Sequence, residues 1–435
     1  PPARGWQPAS RTALLVTLCG EDPAPLARHL SALHRGLVAR GVERAVRIVV
    51  LSDTAGAAPI AREEAALAPL LADGTIAYRR RARNTGRKPG NIAEWLHREG
   101  MAFDFLLVLD ADSRMSPDRV RGMIRRMEQR PGTGLLQAGI ALVPGRSRFG
   151  RHQRRTARLL SPGFLRGFAA WTGATGNYWG HNAIIRVAAF RAAADLPRLS
   201  GRAPLGGALL SHDFVEAAWI RRAGWRVEVD PDLSGSAEDA PQTVEAFHRR
   251  DRRWCQGNLQ HLRLLGEPGL HPVSRLHLAS GVLGYLAAPI WLLLVALVAS
   301  GAVPVAGALP FALVAGVLAL PKLCALVGHL GRARTPRRRG VVLRAWAAEL
   351  ALSTLLAPLV MVRQAGSVAA VLIGRDCGWK GRSRPPRVPR GTGEALMGGT
   401  LAALAAGTGA APWLAPLILP LLGAPLLVRA LDTAP

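Results

Sequence analysis

Cysteine is scarce in this chain of 435 residues. The four cysteines lie far apart and form no C-x-x-C pair; they are Cys19, Cys255, Cys324 and Cys377. Isolated cysteines argue against a disulfide framework and against a cysteine-based zinc site. We therefore expect the soluble part of the chain in a reducing, cytoplasmic setting.

An initiating methionine and a signal peptide are also absent, because the sequence opens on Pro1 and Pro2. We therefore expect the natural chain to begin further upstream, in a segment that contains additional membrane helices.

Acidic residues are few: 29 Asp and Glu stand against 56 Lys and Arg, which gives a formal charge of +27. Such a charge suits nucleic acid, yet the sequence has no recognition motif for it, and many arginines flank apolar segments. Anionic lipid headgroups and a nucleoside diphosphate sugar are the partners that this distribution favours. We expect no nucleic-acid partner.

Long apolar runs, in contrast, are abundant. Hydrophobic residues make up 49% of the chain, and mean hydropathy is +0.16. Residues 276–330 and 394–428 are nearly uncharged, and each run is long enough for two membrane crossings of ~20 residues. The expected organisation is a cytoplasmic catalytic domain at 1–270, two transmembrane helices at 271–330, basic loops and interfacial helices at 331–393, and two transmembrane helices at 394–435.

The basic residues also predict a topology. The link at 300–307 is uncharged, whereas arginines crowd 332–339, and Arg375, Lys380, Arg382, Arg384, Arg387 and Arg390 follow the next apolar stretch. The positive-inside rule places both basic segments in the cytoplasm of a multi-pass membrane protein. Because both ends of 341–374 then lie on one side, that stretch is expected to form interfacial helices; a re-entrant hairpin is the alternative.

The first 270 residues alternate apolar strands with charged helical stretches. Residues 13–18 and 47–52 predict strands with a helix between them, and the run Phe103-Asp-Phe-Leu-Leu-Val-Leu-Asp-Ala-Asp112 predicts another strand. In a parallel sheet the carboxyl ends of strands share one edge, so Asp53, Asp110 and Asp112 should collect there. Paired carboxylates at this edge suit Mg²⁺ or Mn²⁺ bound to a diphosphate. The structural alternative is that these acids belong to a turn or a helix cap.

A basic, glycine-bearing loop lies between these acids, in the stretch from Arg79 to Asn91. It leads into a predicted helix at 92–97. Cations beside a helix N-terminus bind phosphate oxygens well, although a solvated surface loop has the same composition.

Three later motifs complete the pattern. They are Tyr178-Trp-Gly-His-Asn-Ala-Ile-Ile-Arg186, Leu210-Ser-His-Asp-Phe-Val-Glu-Ala-Ala218 and Arg250-Asp-Arg-Arg-Trp254. In this order after the strand-end acids and before membrane helices, they resemble the processive family 2 glycosyltransferases, the group of cellulose and hyaluronan synthases. Within that group they are most similar to the glucosyltransferases that make osmoregulated periplasmic glucans, and the resemblance runs from about Thr12 to the C-terminus.

The resemblance implies an α/β GT-A catalytic domain, Rossmann-like with a mostly parallel sheet, followed by α-helical transmembrane segments. It implies an inverting transferase that polymerises glucose from UDP-glucose into a β-glucan and couples synthesis to translocation. The implied site residues are as follows: Asp213 as the base for the acceptor hydroxyl; Asp112 and Asp110 at the metal; Asp53, Lys88, Gly90, Asn91, Asp110 and Arg253 at the nucleotide sugar; Trp254, Trp179 and His181 at the acceptor.

Some residues leave alternatives open. The wider family has Gln where Arg250 stands, which indicates another diphosphate or acceptor contact. Core packing explains Trp179 equally well, and His181 and His212 suit either metal ligation or structural hydrogen bonds. Asp213 also suits a helix cap.

Alternative functions stay open as well. A cellulose- or hyaluronan-like product is the nearest one, and a non-enzymatic transporter or scaffold is another. Besides UDP-glucose, the growing glucan and membrane lipids, the family resemblance implies acyl carrier protein and a periplasmic glucan-processing protein as partners.

Overall fold

The computed structural model describes residues 6–193, 196–305, 307–377 and 389–434. Its strands are β1 (Thr12–Leu18), β2 (Val46–Ser52), β3 (Ile76–Arg80), β4 (Phe105–Asp110), β5 (Arg114–Met115), β6 (Thr133–Ala138), β7 (Ala141–Leu142), β8 (Ala183–Arg186), β9 (Arg226–Asp230) and β10 (Ser236–Glu238). Its α-helices are α1 (Pro23–Val38), α2 (Ala57–Ala72), α3 (Arg87–Arg98), α4 (Pro117–Gln129), α5 (Arg148–Thr172), α6 (Val187–Ala192), α7 (His212–Arg222), α8 (Val244–Gln260), α9 (Pro272–Ala299), α10 (Leu309–Arg332), α11 (Pro336–Leu372), α12 (Thr392–Ala405), α13 (Ala411–Leu422) and α14 (Ala424–Asp432).

The main sheet has seven strands in the order β3-β2-β1-β4-β8-β6-β9. Only β8 runs antiparallel to its neighbours. The central strands are uninterrupted apolar runs because helices cover both faces of the sheet. The mostly parallel sheet predicted from the sequence is confirmed.

Helix α1 shows how local sequence sets these elements. The side chain of Asp22 caps the helix by accepting a hydrogen bond from the amide of Ala24, and Pro23 occupies the first turn. Leucines at 26, 30, 33 and 37 then recur at helical spacing and are all buried against the sheet. The stripe is therefore the face that docks α1 beside β1 and β2.

A small second sheet places later residues beside the strand-end acids. Its order is β5-β10-β7, and Ala237 of β10 pairs with Arg114 of β5. Because β5 begins two residues after Asp112, this pairing brings Glu238 to the same edge of the main sheet.

Among the described residues, α9, α10 and α11 are long and apolar enough to cross a membrane. Helices α9 and α10 coincide with the two expected at 271–330. The later boundaries differ from expectation: α11 is one continuous helix of 37 residues, and 394–435 holds shorter helices, of which α13 and α14 form a bent pair at 51°. The membrane placement of these helices stays a prediction.

Two hydrogen bonds tie α11 to helices of the first 270 residues. Glu349 accepts a hydrogen bond from Thr156 of α5 at 3.3 Å, and Gln364 donates to Asp251 of α8 at 3.2 Å. These two contacts lie about 22 Å apart along the helix. The helix therefore runs along the catalytic domain. The basic residues at 380–387, expected in the cytoplasm, lie outside the described residues.

Candidate functional site

Asp110 ends the central strand β4, and Asp112 follows in the turn. Thr17, near the end of β1, donates to Asp110 Oδ1 at 3.1 Å, and the ammonium group of Lys88 forms an ion pair with the same carboxylate. Burial raises the pKa of Asp110, but Lys88 and His181 outweigh it and hold that pKa at about 2. Asp110 is therefore ionised at neutral pH.

Asp112 lies in a more acidic environment. Burial, followed by the charges of Asp110 and Glu238, raises the pKa of Asp112 to about 6. Three carboxylates at one sheet edge repel each other, and a divalent cation relieves such repulsion.

His181 connects the second sheet to the acidic turn. Its Nε2 lies 3.2 Å from Glu238 Oε2, and its Nδ1 lies 3.2 Å from Ser113 Oγ. Burial lowers the pKa of His181, but the hydrogen bond to Glu238 and the charge of Asp110 raise it overall, to about 9. Both ring nitrogens have protein partners, which fits the structural alternative for this residue better than a contact with the acceptor.

A divalent cation fits this edge through Asp112, with Asp110 beside it. The His, Cys, Asp and Glu side chains of the described ranges form no group of three or more arranged around a metal position. Mg²⁺ and Mn²⁺ do not need one, since they commonly take one or two carboxylates and complete their shell with phosphate oxygens and water. The raised pKa of Asp112 is the observation that supports the fit.

Asp213 lies in the first turn of helix α7 and is half-buried close to Gly180. A Cβ atom at Gly180 would lie 3.4 Å from Asp213 Oδ2, and Gly180 has a φ of +86°, a conformation that favours glycine. Burial raises the pKa of Asp213. Lys88 donates to the carbonyl of Gly180 at 2.6 Å, so one lysine links the strand-end acid to the residue that borders Asp213.

The neighbours of Asp213 on its helix form a separate ion pair. His212 Nδ1 lies 3.2 Å from Glu216 Oε1. Burial lowers the pKa of His212, while Glu216 and Asp213 raise it overall. This pairing explains His212 as a structural residue.

Helix α8 carries Arg250, Arg253 and Trp254. The guanidinium carbon of Arg250 lies 4.6 Å from the centre of the Trp254 ring, which is 46% exposed. Arg250 therefore stacks on the exposed tryptophan. Arg253 is half-buried, and burial lowers the pKa of its guanidinium group.

Gly257 brings α8 against the start of α7. A Cβ atom there would lie 2.3 Å from Ser211 Oγ and 2.6 Å from the Ser211 amide. Trp254 precedes Gly257 by about one turn and lies on the same side of the helix. Helix α8, which carries Trp254, therefore contacts Ser211, two residues before Asp213.

The nucleotide-side residues are held by arginines of β3 and the loop after it. Arg81 binds both carboxylate oxygens of Asp53, at 2.8 and 2.9 Å, and both side chains are buried. Arg79 donates to Asn91 Oδ1 at 2.6 Å. These bonds hold the basic loop in place, and the direct nucleotide contacts of Asp53 and Asn91 stay predictions.

Gly90 has a packing role. A Cβ atom at this position would lie 2.2 Å from the carbonyl oxygen of Thr85. Only glycine permits the loop to fold this tightly onto the first turn of α3.

Trp179 lies beside an aromatic group on α5. Its ring centre is 6.4 Å from that of Phe168, and its amide donates to Gln137 at 2.9 Å. The indole is half-buried next to Gly180. Trp179 therefore packs against α5 and also lies next to Gly180, the residue that borders Asp213.

Sequence reasoning missed Glu238, Ser113 and Arg81. Glu238 comes from β10 and reaches the site only through the second sheet, so no spacing along the chain reveals it. Arg81 lay in a noticed basic run, and its pairing with an acid at the end of the adjacent strand was the available signal.

Comparisons with known proteins identify the family and the fold. The model of glycosyl transferase family group 2 matches residues 105–327. The glucans biosynthesis glucosyltransferase H of Rhodopseudomonas palustris is 42% identical over 86% of this chain and 56% of its own length. That of Cereibacter sphaeroides is 38% identical over 97% of this chain and 77% of its own length.

Among solved structures, a mannosyltransferase from Pyrobaculum calidifontis, in complex with GDP-Man and Mn²⁺, superposes with a TM-score of 0.50 at 15% identity. The match covers 86% of this chain and 88% of that chain, and it shows a shared GT-A fold. The chain spans little more than half the length of some curated relatives, such as the protein of Rhodopseudomonas palustris. The family match and these identities show that the chain belongs to the family 2 glycosyltransferases, in the group of the glucans biosynthesis glucosyltransferases H.

Proposed function

We propose that the chain is an inverting glucosyltransferase that moves glucose from UDP-glucose onto a growing β-glucan, the backbone of osmoregulated periplasmic glucans. One observation carries the proposal: Lys88 binds Asp110 and the carbonyl of Gly180, and Gly180 borders the half-buried Asp213. The acid that faces a diphosphate and the carboxylate that faces an acceptor are thereby held at a fixed separation.

The donor diphosphate binds at the carboxyl ends of the central strands. Asp112 and Asp110 would hold Mg²⁺ or Mn²⁺, and the bound cation would supply charge neutralisation for the departing UDP. Lys88 keeps Asp110 ionised and oriented. Arg253 supplies a guanidinium group suited to phosphate oxygens.

Asp213 accepts the proton of the acceptor hydroxyl as the new glycosidic bond forms. Partial burial raises the pKa of Asp213, which makes it a stronger base than a fully solvated carboxylate. Positioned bases contribute typically ~10² to 10⁴ in rate. A single base opposite the leaving group inverts the anomeric centre, so an α-linked donor gives a β-linked product.

Trp254 presents a flat, exposed face on which the apolar side of a sugar ring stacks. The guanidinium group of Arg250 stacks on the same ring and helps to fix its orientation. Trp179, beside Gly180, borders the acceptor path, whereas His181 serves to hold Ser113 and Glu238 in place.

The buried pair of Asp53 and Arg81 forms the floor of the nucleotide site, near the uracil or ribose. Asn91 and Gly90 support it through the basic loop.

The membrane side completes the proposal. Helices α9 and α10 cross the inner membrane, the catalytic domain is cytoplasmic, and α11 lies along the membrane-facing side of that domain. The contacts of α11 with α5 and α8 support this arrangement. Acyl carrier protein and a periplasmic glucan-processing protein are partners of the same proposal, as is translocation of the glucan.

Membranes that contain the protein test this function when supplied with labelled UDP-glucose. We expect UDP release and a labelled, membrane-associated polymer of glucose, whose linkages are read by methylation analysis. Release of glucose without polymer, or incorporation from another nucleotide sugar only, would contradict the proposal.

A further inference from the structure

The turn that presents Asp213 lacks a cap of its own. Ser211 occupies the N-cap position of α7, yet its side chain forms no capping hydrogen bond. A helix start normally needs such a bond to satisfy its free amides and fix its direction. Another part of the molecule must therefore hold the residue that we propose as the base.

The end of α8 and the 3₁₀ turn after it provide that support. His261 Nε2 lies 2.9 Å from the carbonyl oxygen of Ser211, and the amide of Leu210 donates to Gln260 Oε1 at 3.0 Å. Both side chains are fully buried. The two hydrogen bonds hold Leu210 and Ser211 in place, just before Asp213.

His261 also touches the residue after the base. Its ring packs edge-on against Phe214, with 5.9 Å between ring centres. Burial lowers the pKa of His261 to about 4, so the ring is neutral and its Nε2–H donates to the Ser211 carbonyl. The imidazole thus contacts both flanks of Asp213 without being charged itself.

Helix α8, which ends just before His261, also carries Trp254. Trp254 precedes His261 by about two turns. We infer that His261, assisted by Gln260, is a positioning residue that fixes the distance between the Asp213 carboxylate and the sugar bound on Trp254. This inference rests on the proposed role of Asp213. Small displacements of a base cost up to about 10²-fold in rate, so the bond should be visible in turnover.

The test compares three replacements of His261. His261→Leu keeps volume and loses the donor; His261→Gln places an amide nitrogen near the Nε2 position; His261→Asn keeps polarity but is too short. We expect the rate at saturating UDP-glucose to fall about 10-fold or more in the Leu and Asn variants. UDP-glucose affinity should change less than about twofold, and the Gln variant should recover a third or more of the rate.

His329→Leu is the matched control, because His329 Nε2 bonds a backbone carbonyl in the same way, at 3.0 Å from Leu159 O, on α10. It should lower the melting temperature and leave the rate of the folded fraction unchanged. A folded His261→Leu protein at the parent rate would overturn the inference. So would a His261→Gln protein as slow as His261→Asn, a comparison that stands even where the Leu variant fails to fold.

Asp213→Asn, measured in parallel, distinguishes a failure of the base assignment from a failure of the positioning role of His261. An active Asn variant removes the base assignment itself. An inactive Asp213→Asn protein beside a fully active His261→Leu protein removes the positioning role alone.

Discussion

The ammonium group of Lys88 pairs with the carboxylate of Asp110 and thereby joins two halves of the candidate site. The same ammonium group donates to the carbonyl of Gly180 at 2.6 Å, next to Asp213. Because Lys88 sits in the first turn of α3, this turn contacts both the acid at the end of β4 and the backbone beside the proposed base. The reactivity of each carboxylate therefore depends on the neighbouring residues as well as on the carboxylate itself.

Asp213→Asn tests the proposed base, because Ser211 and not Asp213 occupies the N-cap position of α7. Asn retains the size of Asp, but it accepts no proton at neutral pH. We expect UDP-glucose binding to persist and glucose transfer to fall by at least ~10², the low end of what a general base contributes. UDP release and melting temperature measured together decide the case, and near-normal turnover by a stable Asn variant would end the assignment.

Asp112 should link cation binding to pH. Its pKa of about 6 means that the carboxyl is mainly protonated below pH 6, so affinity for Mn²⁺ should fall as pH drops through that value. Isothermal titration with Mn²⁺ and UDP at pH 5 to 8 measures this dependence. Asp112→Asn should bind Mn²⁺ weakly at every pH, and parent-like, metal-dependent turnover by that variant would sink the assignment.

The raised pKa of Asp112 also predicts how the stability of the folded state changes with pH. A pKa raised from 3.8 to about 6 means that the folded state binds the proton more tightly than the unfolded state does. Its contribution to stability is therefore present at low pH and is lost as pH rises from about 4 through 6. Without cation, the melting temperature of the parent relative to Asp112→Asn should decline over that interval, and a flat difference would contradict the raised pKa.

Gly180→Ala tests the close approach of the backbone to Asp213. The new methyl would lie 3.4 Å from Asp213 Oδ2 and would remove water and acceptor from that side of the carboxylate. We expect about 10-fold slower transfer, and an acid limb of the rate profile shifted to higher pH, since the base must be deprotonated.

Gly224→Ala is the matched control for backbone strain. Gly224 has a φ of +92° and no heavy atom within 4 Å of its Cβ position. Both alanines should cost about 1–2 kcal/mol of stability through the left-handed backbone. Only Gly180→Ala should change the rate of the folded protein; equal effects on rate would mean that strain alone is responsible.

Much of the catalytic fold could be predicted from the sequence, because buried parallel strands are apolar throughout. The runs that became β1, β2 and β4 were found in this way, and the acids after β2 and β4 share one edge as expected. Contacts made through distant elements could not be predicted. Glu238 reaches His181 through a second sheet of two- and three-residue strands, which are too short to give a periodic pattern.

The membrane region shows a second limit. The basic segments on both sides of 341–374 predicted several interfacial helices there, and Glu349 and Arg363 interrupt the apolar stretch of α11. In the folded chain Glu349 pairs with Lys322 at 2.6 Å, and Arg363 pairs with Glu394. Pairing removes the need for either charge to reach water, so one continuous helix forms.

The position of α11 relative to the membrane gives the last prediction. The amide of Cys377, just after the helix, donates to Gln256 of α8 at 2.8 Å, close to Arg253. If α11 lies along the catalytic domain, both ends of the helix are cytoplasmic. If α11 crosses the membrane, the two ends lie on opposite sides.

Single-cysteine variants distinguish these arrangements. In a background whose other cysteines are replaced, Cys377 should resist a membrane-impermeant thiol reagent added from the periplasm and react once the membrane is opened. Ser353→Cys should resist as well, whereas Ser300→Cys, in the uncharged link between α9 and α10, should react from outside. Periplasmic labelling of Cys377 would show that α11 spans the membrane, and it would separate Gln256 from its partner, so it would overturn both the topology and the contact.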